Sequence, residues 1–309
     1  TGILKIAEAG EYNFNLFTFA GSGSLTINNQ KLNVTRRRGT NKFTLPAGDL
    51  PVELIYSKTM DWGKAALGLT VSGPGIREFM ISDGNNLSSE QADPILVDAP
   101  VNTLLRSFMD IPGTRVVHAV SVGSPEGLHY TYDMDNSSLV QIWRGEFLDA
   151  TPMWHERGDG SSRPRGSKQL FGMPALTIGK LSSSAEPWKL DTTGTGFRPK
   201  GYELDEKEQP IFHYFIYGLM VDDAMQVLEN RHGISREIAV VNPSDELFAR
   251  LATSKTIEDM GNGLYLLDDK SYYLKIESTD GGRVVVRDAN GNKELLVPVK
   301  SKLKYTILF

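Results

Sequence analysis

The chain has 309 residues, 40% of them apolar, and a formal net charge of −5 with acids and bases mixed along its length. That length is a soft prior for two domains, each able to bury a core of its own. The lack of cysteine excludes disulfides, thiolate metal sites and cysteine nucleophiles; the missing basic face argues against nucleic acid as a partner; and no apolar run reaches the roughly 18–20 residues of a membrane span.

No signal peptide opens the chain. It begins TGILKIAEAGEY, already patterned as strand and turn, and reads as a piece of a longer or processed protein. GEYNFNLFTFAGSG, SLTINNQKLNV, NKFTLPAGDLPVELIYSK and KAALGLTVSGPG follow. Each places apolar residues at period two between Gly, Asn, Pro or Asp. Short strands at roughly 8–12-residue spacing predict an all-β sandwich or barrel. Arg36-Arg37-Arg38 is expected at the solvated tip of a hairpin.

The segments GILKIAEAGEYNF, SGSLTINNQKL, LPAGDLPVELIYS and AALGLTVSGPG together resemble the protective-antigen-type β-sandwich domain over about residues 1–80. That family often serves as a carbohydrate-binding module of glycosidases and adhesins. Its sugar-binding members hold calcium on paired aspartates before a buried strand. Here Ala20-Gly21-Ser22-Gly23-Ser24 occupies that loop, and Asn28-Asn29 replaces the family's Asp-Gly. Calcium needs several hard oxygen ligands, so the family's calcium site is not expected. A spacer or docking module stands as the other reading of this domain.

Residues 82–101, SDGNNLSSEQADPILVDAPV, have the composition of a connector. The expected division is a sandwich at 1–81, a connector at 82–100 and a larger sandwich at 101–309. In the larger part RVVHAVSVG reads as one buried strand. GLHYTYD-MDNSS-LVQIWRG and KGYELDEKEQPIFHYFIYG read as hairpins. Asp288-Ala289-Asn290-Gly291-Asn292 carries the strongest short hairpin signal. Helix is expected only near 245–253 or 255–260.

Few residues carry recognisable chemistry. Asp133-Met134-Asp135-Asn136-Ser137-Ser138 starts like a calcium loop but lacks its later glycine and glutamate; a turn capped by its own side chains explains it without metal. Asp222-Asp223 and Asp268-Asp269 are adjacent, so on a strand they face opposite ways and do not share a site. The histidines 118, 129, 155, 213 and 232 show no common zinc spacing. His118 reads as a core residue. No nucleophile elbow or phosphate cradle occurs. No metal and no cofactor is expected.

What remains is WRGEFLDATPMWHERGDG, a strand end running into an irregular segment, the kind of surface segment that often carries function. Trp143 and Trp154 could supply a stacking ring, and Arg144, Asp149, His155, Glu156, Arg157 and Asp159 hydrogen bonds to hydroxyls, as a polar ring-shaped ligand needs. The competing reading folds this loop back, with both tryptophans plugging the core and the arginines pairing with the acids. Residues 101–309, through RSFMDIPGTRVVHAVSVGSPEGLHYTYDMDNSSLVQIWRGEFLDATPMWHERGDG and KGYELDEKEQPIFHYFIYGLMVDD, resemble an uncharacterised β-rich region of large exported bacterial proteins. There it accompanies cytochrome c and sugar-dehydrogenase-like domains. The resemblance implies export and a carbohydrate-related setting, and transfers no activity.

The expectation is a non-catalytic carbohydrate-binding or interaction module, secreted or periplasmic, whose partner is a glycan or other domains of the parent chain. A sugar-active enzyme of aldose-epimerase or lyase type, pairing His129 or His155 with Glu126, Glu146 or Glu156, is a fold-level analogy. A docking scaffold for neighbouring domains is the third reading.

Overall fold

The computed structural model describes residues 1–35, 38–61, 63, 65–82, 94–154, 160–183, 185–268 and 271–309. The chain is all-β, built of antiparallel sheets, and the one helix among the described residues is a single turn, α1 (Thr151–Trp154). It divides into two units. The first comprises Thr1–Leu96, Gly166–Lys168 and the described part, 149–154, of a further piece.

The first unit contains β1 (Gly2–Ile6), β2 (Gly10–Phe19), β3 (Gly21–Ile27), β4 (Gln30–Val34), β5 (Arg38–Leu45), β6 (Gly48–Lys58), β7 (Ala66–Gly73) and β8 (Ile76–Met80). They form two four-stranded sheets, ordered β1-β6-β3-β4 and β5-β2-β7-β8. Period two sends Tyr12, Phe14 and Leu16 of β2 inward, where they meet Leu25 and Ile27 of β3 and Phe43 and Leu45 of β5. This shared core makes the unit a sandwich. Each such large side chain contributes about 1.5–3 kcal/mol on leaving water. Asn28 and Asn29, at φ 45° and 64°, turn β3 into β4. Two successive positive φ values define a type I′ hairpin, a conformation that asparagine tolerates. Arg38 opens β5, exposed, with its guanidinium 4.9 Å from the Phe17 ring centroid. β4 and β5 lie in different sheets; of the expected hairpin tip only Arg38 is described. Arg36 and Arg37 lie outside the described residues.

The second unit comprises Val97–Leu148, Gly160–Arg165 and Gln169–Phe309. After β9 (Leu96–Val97) come β10 (Thr103–Ile111), β11 (Thr114–Gly123), β12 (Leu128–Asp133), β13 (Ser138–Asp149) and β14 (Arg163–Leu170), neighbours in that order from β10 to β14. The remaining strands are β15 (Ile178–Lys180), β16 (Arg198–Leu204), β17 (Pro210–Ile216), β18 (Leu219–Val227), β19 (Gly233–Val240), β20 (Leu247–Ser254), β21 (Ile257–Asp259), β22 (Leu264–Leu267), β23 (Tyr272–Ser278), β24 (Val285–Ala289), β25 (Asn292–Pro298) and β26 (Lys302–Leu308). Eight of them form one broad sheet, β16-β17-β18-β19-β26-β23-β22-β21, and four form a smaller one, β15-β20-β25-β24. One core serves all three sheets, through Tyr130 and Tyr132 of β12, Phe212 of β17, Leu247 of β20 and Tyr305 of β26. Tyr132 stacks flat on Phe212 with ring centroids 3.9 Å apart.

An ion pair is sealed inside this core. Arg236 holds Asp223 with two hydrogen bonds, Nε–Oδ1 at 2.8 Å and Nη2–Oδ2 at 2.6 Å. Its Nη1 donates to the Tyr305 hydroxyl at 3.1 Å, and Tyr132 donates to Asp223 Oδ2 at 2.8 Å. Burial is the largest single influence and opposes the Arg236 charge, but Asp223, Tyr305 and Tyr132 together outweigh it and hold the guanidinium well above its ordinary pKa. Removing one partner of such a pair is far costlier than its net contribution suggests, because the other charge stays buried. Asp222, its chain neighbour, faces the other way and accepts from or shares a proton with His213 Nδ1 at 2.7 Å. The two aspartates are thus on opposite faces, as expected. Asp223 is the one whose side faces the core, and it is fully buried.

Two expectations fail. Residues 247–254 and 257–259 are strands rather than helix. Leu247 and Ala249 on alternate positions enter the core while β20 bonds β15 and β25 on its two sides; sheet pairing overrides the helical propensity of Leu, Ala and Arg. His118 is not a core residue. Its side chain is exposed and bonded to Asp135.

Candidate functional site

Trp143 lies on β13 and is fully buried. Its Nε1 donates to the carbonyls of Glu146 and Phe147, both at 3.0 Å, and its ring runs parallel to Phe147 at 6.0 Å. It presents no face to a ligand, so its expected binding role is withdrawn. Arg144 points away from that core and donates to the backbone oxygens of Phe309 and Arg231, with its guanidinium 4.9 Å from the Phe309 ring centroid. These contacts tie the end of β26 and the β18–β19 turn to β13. Arg144 is a clasp within the unit rather than a ligand hook.

His129 sits beside them, buried against the rings of both Trp143 and Phe147, each with its centroid 5.3 Å away. Its Nδ1 accepts the Ser124 backbone N–H at 3.1 Å, so Nε2 carries the proton and donates to Gly145 O at 2.9 Å. Burial pushes its pKa below the usual histidine value. With both nitrogens engaged, His129 has no position left for acid–base exchange with a substrate.

Asp149 and Trp154 belong to the other unit. The Asp149 carboxylate accepts the Thr151 N–H at 2.9 Å, satisfying one donor at the start of α1. Pro152 follows at an early helical position that needs no N–H. The turn is fastened to Ile95, whose N–H donates to Thr151 Oγ1 at 2.8 Å and whose carbonyl accepts the Ala150 N–H at 2.9 Å. The Ala150 carbonyl then accepts the N–H groups of Met153 and Trp154, both at 3.0 Å. Met153 is buried, while Trp154 stands 49% exposed at the end of the turn. Asp149 therefore caps a helix, and Trp154 alone of the four described candidates offers an open ring. His155, Glu156, Arg157 and Asp159 lie outside the described residues.

A second feature escaped sequence reasoning. Between Ser107 and Met109 the β10–β11 register shifts: Met109 pairs Val116 but Ser107 pairs Ala119. Two residues of β11, Val117 and His118, therefore oppose one of β10, a β-bulge. Alternation breaks there and both side chains are exposed. The bulge borders a cavity of about 150 Å³ lined by Arg115, Val117, Asp133, Asp135, Asn136 and Met173 among others. The Asp133 carboxylate accepts the Asp135 N–H at 2.9 Å and the Asn136 side-chain amide at 2.6 Å, which makes 133–138 the self-capped turn expected. The only sequence signal for this cleft was the aspartate-rich turn itself.

The class these features define is an all-β chain whose first unit is a sandwich and whose second packs three sheets on one core. No family model matches the sequence, and no curated protein matches it.

Proposed function

We propose that this chain is a non-catalytic recognition module of an exported multidomain protein, with carbohydrate as its ligand. The observation that carries the reading is Trp154, half exposed on a one-turn helix that five hydrogen bonds fix in place. An indole offers a flat apolar face and a single N–H donor, which suits it to stack on a pyranose ring. Because the turn is already ordered, stacking costs little further conformational entropy. The setting in an exported protein, with its other domains as further partners, rests on the two sequence resemblances. The acid–base alternative loses one of its histidines, because His129 is engaged at both nitrogens.

A glycan array probed with the whole chain should return a defined set of sugars. Calorimetry on the strongest should show Trp154→Ala weakening binding at least about tenfold, a loss of ~1.4 kcal/mol, with Trp154→Phe intermediate. An empty array, or unchanged affinity in Trp154→Ala, discards the proposal.

A further inference from the structure

The cavity beside the β11 bulge is independent of Trp154 and lies wholly in the second unit. Its wall is chemically lopsided. Asp133 is 2% exposed, and both of its bonds come from neutral donors in its own turn. Each carboxylate oxygen keeps a further lone pair. Nearby cations are committed elsewhere: Arg115 donates to both oxygens of Asp110, at 2.6 and 3.0 Å, and His118 Nδ1 lies 2.8 Å from Asp135. Among the described residues no ion pair reaches Asp133. A buried carboxylate without a countercharge is costly, and burial accordingly pushes Asp133 above the usual carboxylate range.

Its position is nonetheless firmly held. The Ser137 carbonyl in the same turn accepts from Thr177 Oγ1 at 2.8 Å and from the buried Arg236 Nη2 at 3.4 Å. The turn is thus bolted to the core ion pair and cannot swing Asp133 into water. Beside the charged Arg115 and Asp135 the rim carries two apolar side chains, Val117 46% and Met173 60% exposed. Among the described residues no group of three or more His, Asp or Glu could hold a metal ion, while Val117 and Met173 offer apolar contact that suits an organic cation.

We propose that this cavity binds a primary ammonium on a short aliphatic stem, the ammonium donating to Asp133 and the stem lying along Val117 and Met173. The stem could belong to a free alkylamine or to a lysine side chain; the chemistry at Asp133 is the same.

The test is NMR titration of the intact chain with n-butylammonium, against n-butanol as the uncharged analogue and Nα-acetyl-lysine N-methylamide as the polypeptide source. Butylammonium should give saturable shifts at 114–117 and 133–136 and at the Met173 methyl group, and butanol none. Asp133→Asn should weaken binding about tenfold or more, by loss of a charge-assisted hydrogen bond. Val117→Lys, at an exposed position that tolerates the change, should abolish binding by placing an ammonium of its own at the rim, and it decides the matter if Asp133→Asn does not fold. Binding of the lysine derivative as tightly as butylammonium assigns a polypeptide source, and much weaker binding a free amine. No saturable shift, equal response to butanol, or unaltered affinity in Val117→Lys overturns the proposal.

Discussion

His129 carries a pH dependence that follows from its contacts. The fold binds neutral imidazole, with Nδ1 accepting and Nε2 donating, and burial lowers its pKa. The unfolded chain titrates near an ordinary value of about 6.5. Below that pH the unfolded state takes up a proton that the folded state resists, so stability falls as the solution is acidified from neutrality towards the folded-state value and is fully present above about 6.5. Urea midpoints of the chain minus those of His129→Gln should decline between about pH 7.5 and 5.5; a flat difference contradicts the assignment. The two tryptophans show the limit of residue-level reading. Trp143 and Trp154 have equal chemistry in the sequence, and composition makes both candidates for a stacking ring. Which ring stays open depends on β13 running on through Trp143 to Asp149, and on the single helical turn beyond it. Neither boundary is written in the local pattern.

Among elements, hairpins were the most legible because their signal is local. Asn290 and Gly291 take φ 51° and 77° and join β24 to β25, the paired positive values that an Asn-Gly step favours. Gly291→Ala should therefore destabilise the chain by about 1 kcal/mol, measured by urea unfolding, with the strain of a left-handed alanine as its cause. The β11 bulge was illegible for the opposite reason: a bulge is a mismatch in residue count between two strands, and RVVHAVSVG by itself shows only a crowded apolar run. Likewise the Leu- and Ala-rich 247–254 stretch becomes a strand only because β15 and β25 flank it. Gly179 marks another non-local constraint. A Cβ there would meet the Trp188 ring at 2.9 Å, so the bare backbone of β15 serves as the bed for that indole.

For the whole molecule, the all-β class was readable from period-two patterning, and the sandwich of the first unit followed from it. The sharing of one core by three sheets did not, since it depends on which distant strands meet. The clusters around Phe14 and Phe212 are separate, and this separation predicts a selective response. Phe14→Ala, with an expected cost of roughly 3–5 kcal/mol, should accelerate amide hydrogen exchange in β2, β3 and β5 while β17–β19 exchange at the wild-type rate. Phe212→Ala should do the reverse, and uniform acceleration in both would refute the separation.

The broad sheet ends on β16 at one side and β21 at the other. β16 carries Pro199, which has no N–H, with a register break between Pro199 and Gly201. β21 is three residues long and ends in exposed Glu258 and Asp259. An incoming strand would find an interrupted row of donors at the first margin and a short, negatively charged one at the second. Eight strands wide, the sheet is thereby guarded at both margins against lateral growth by a further strand.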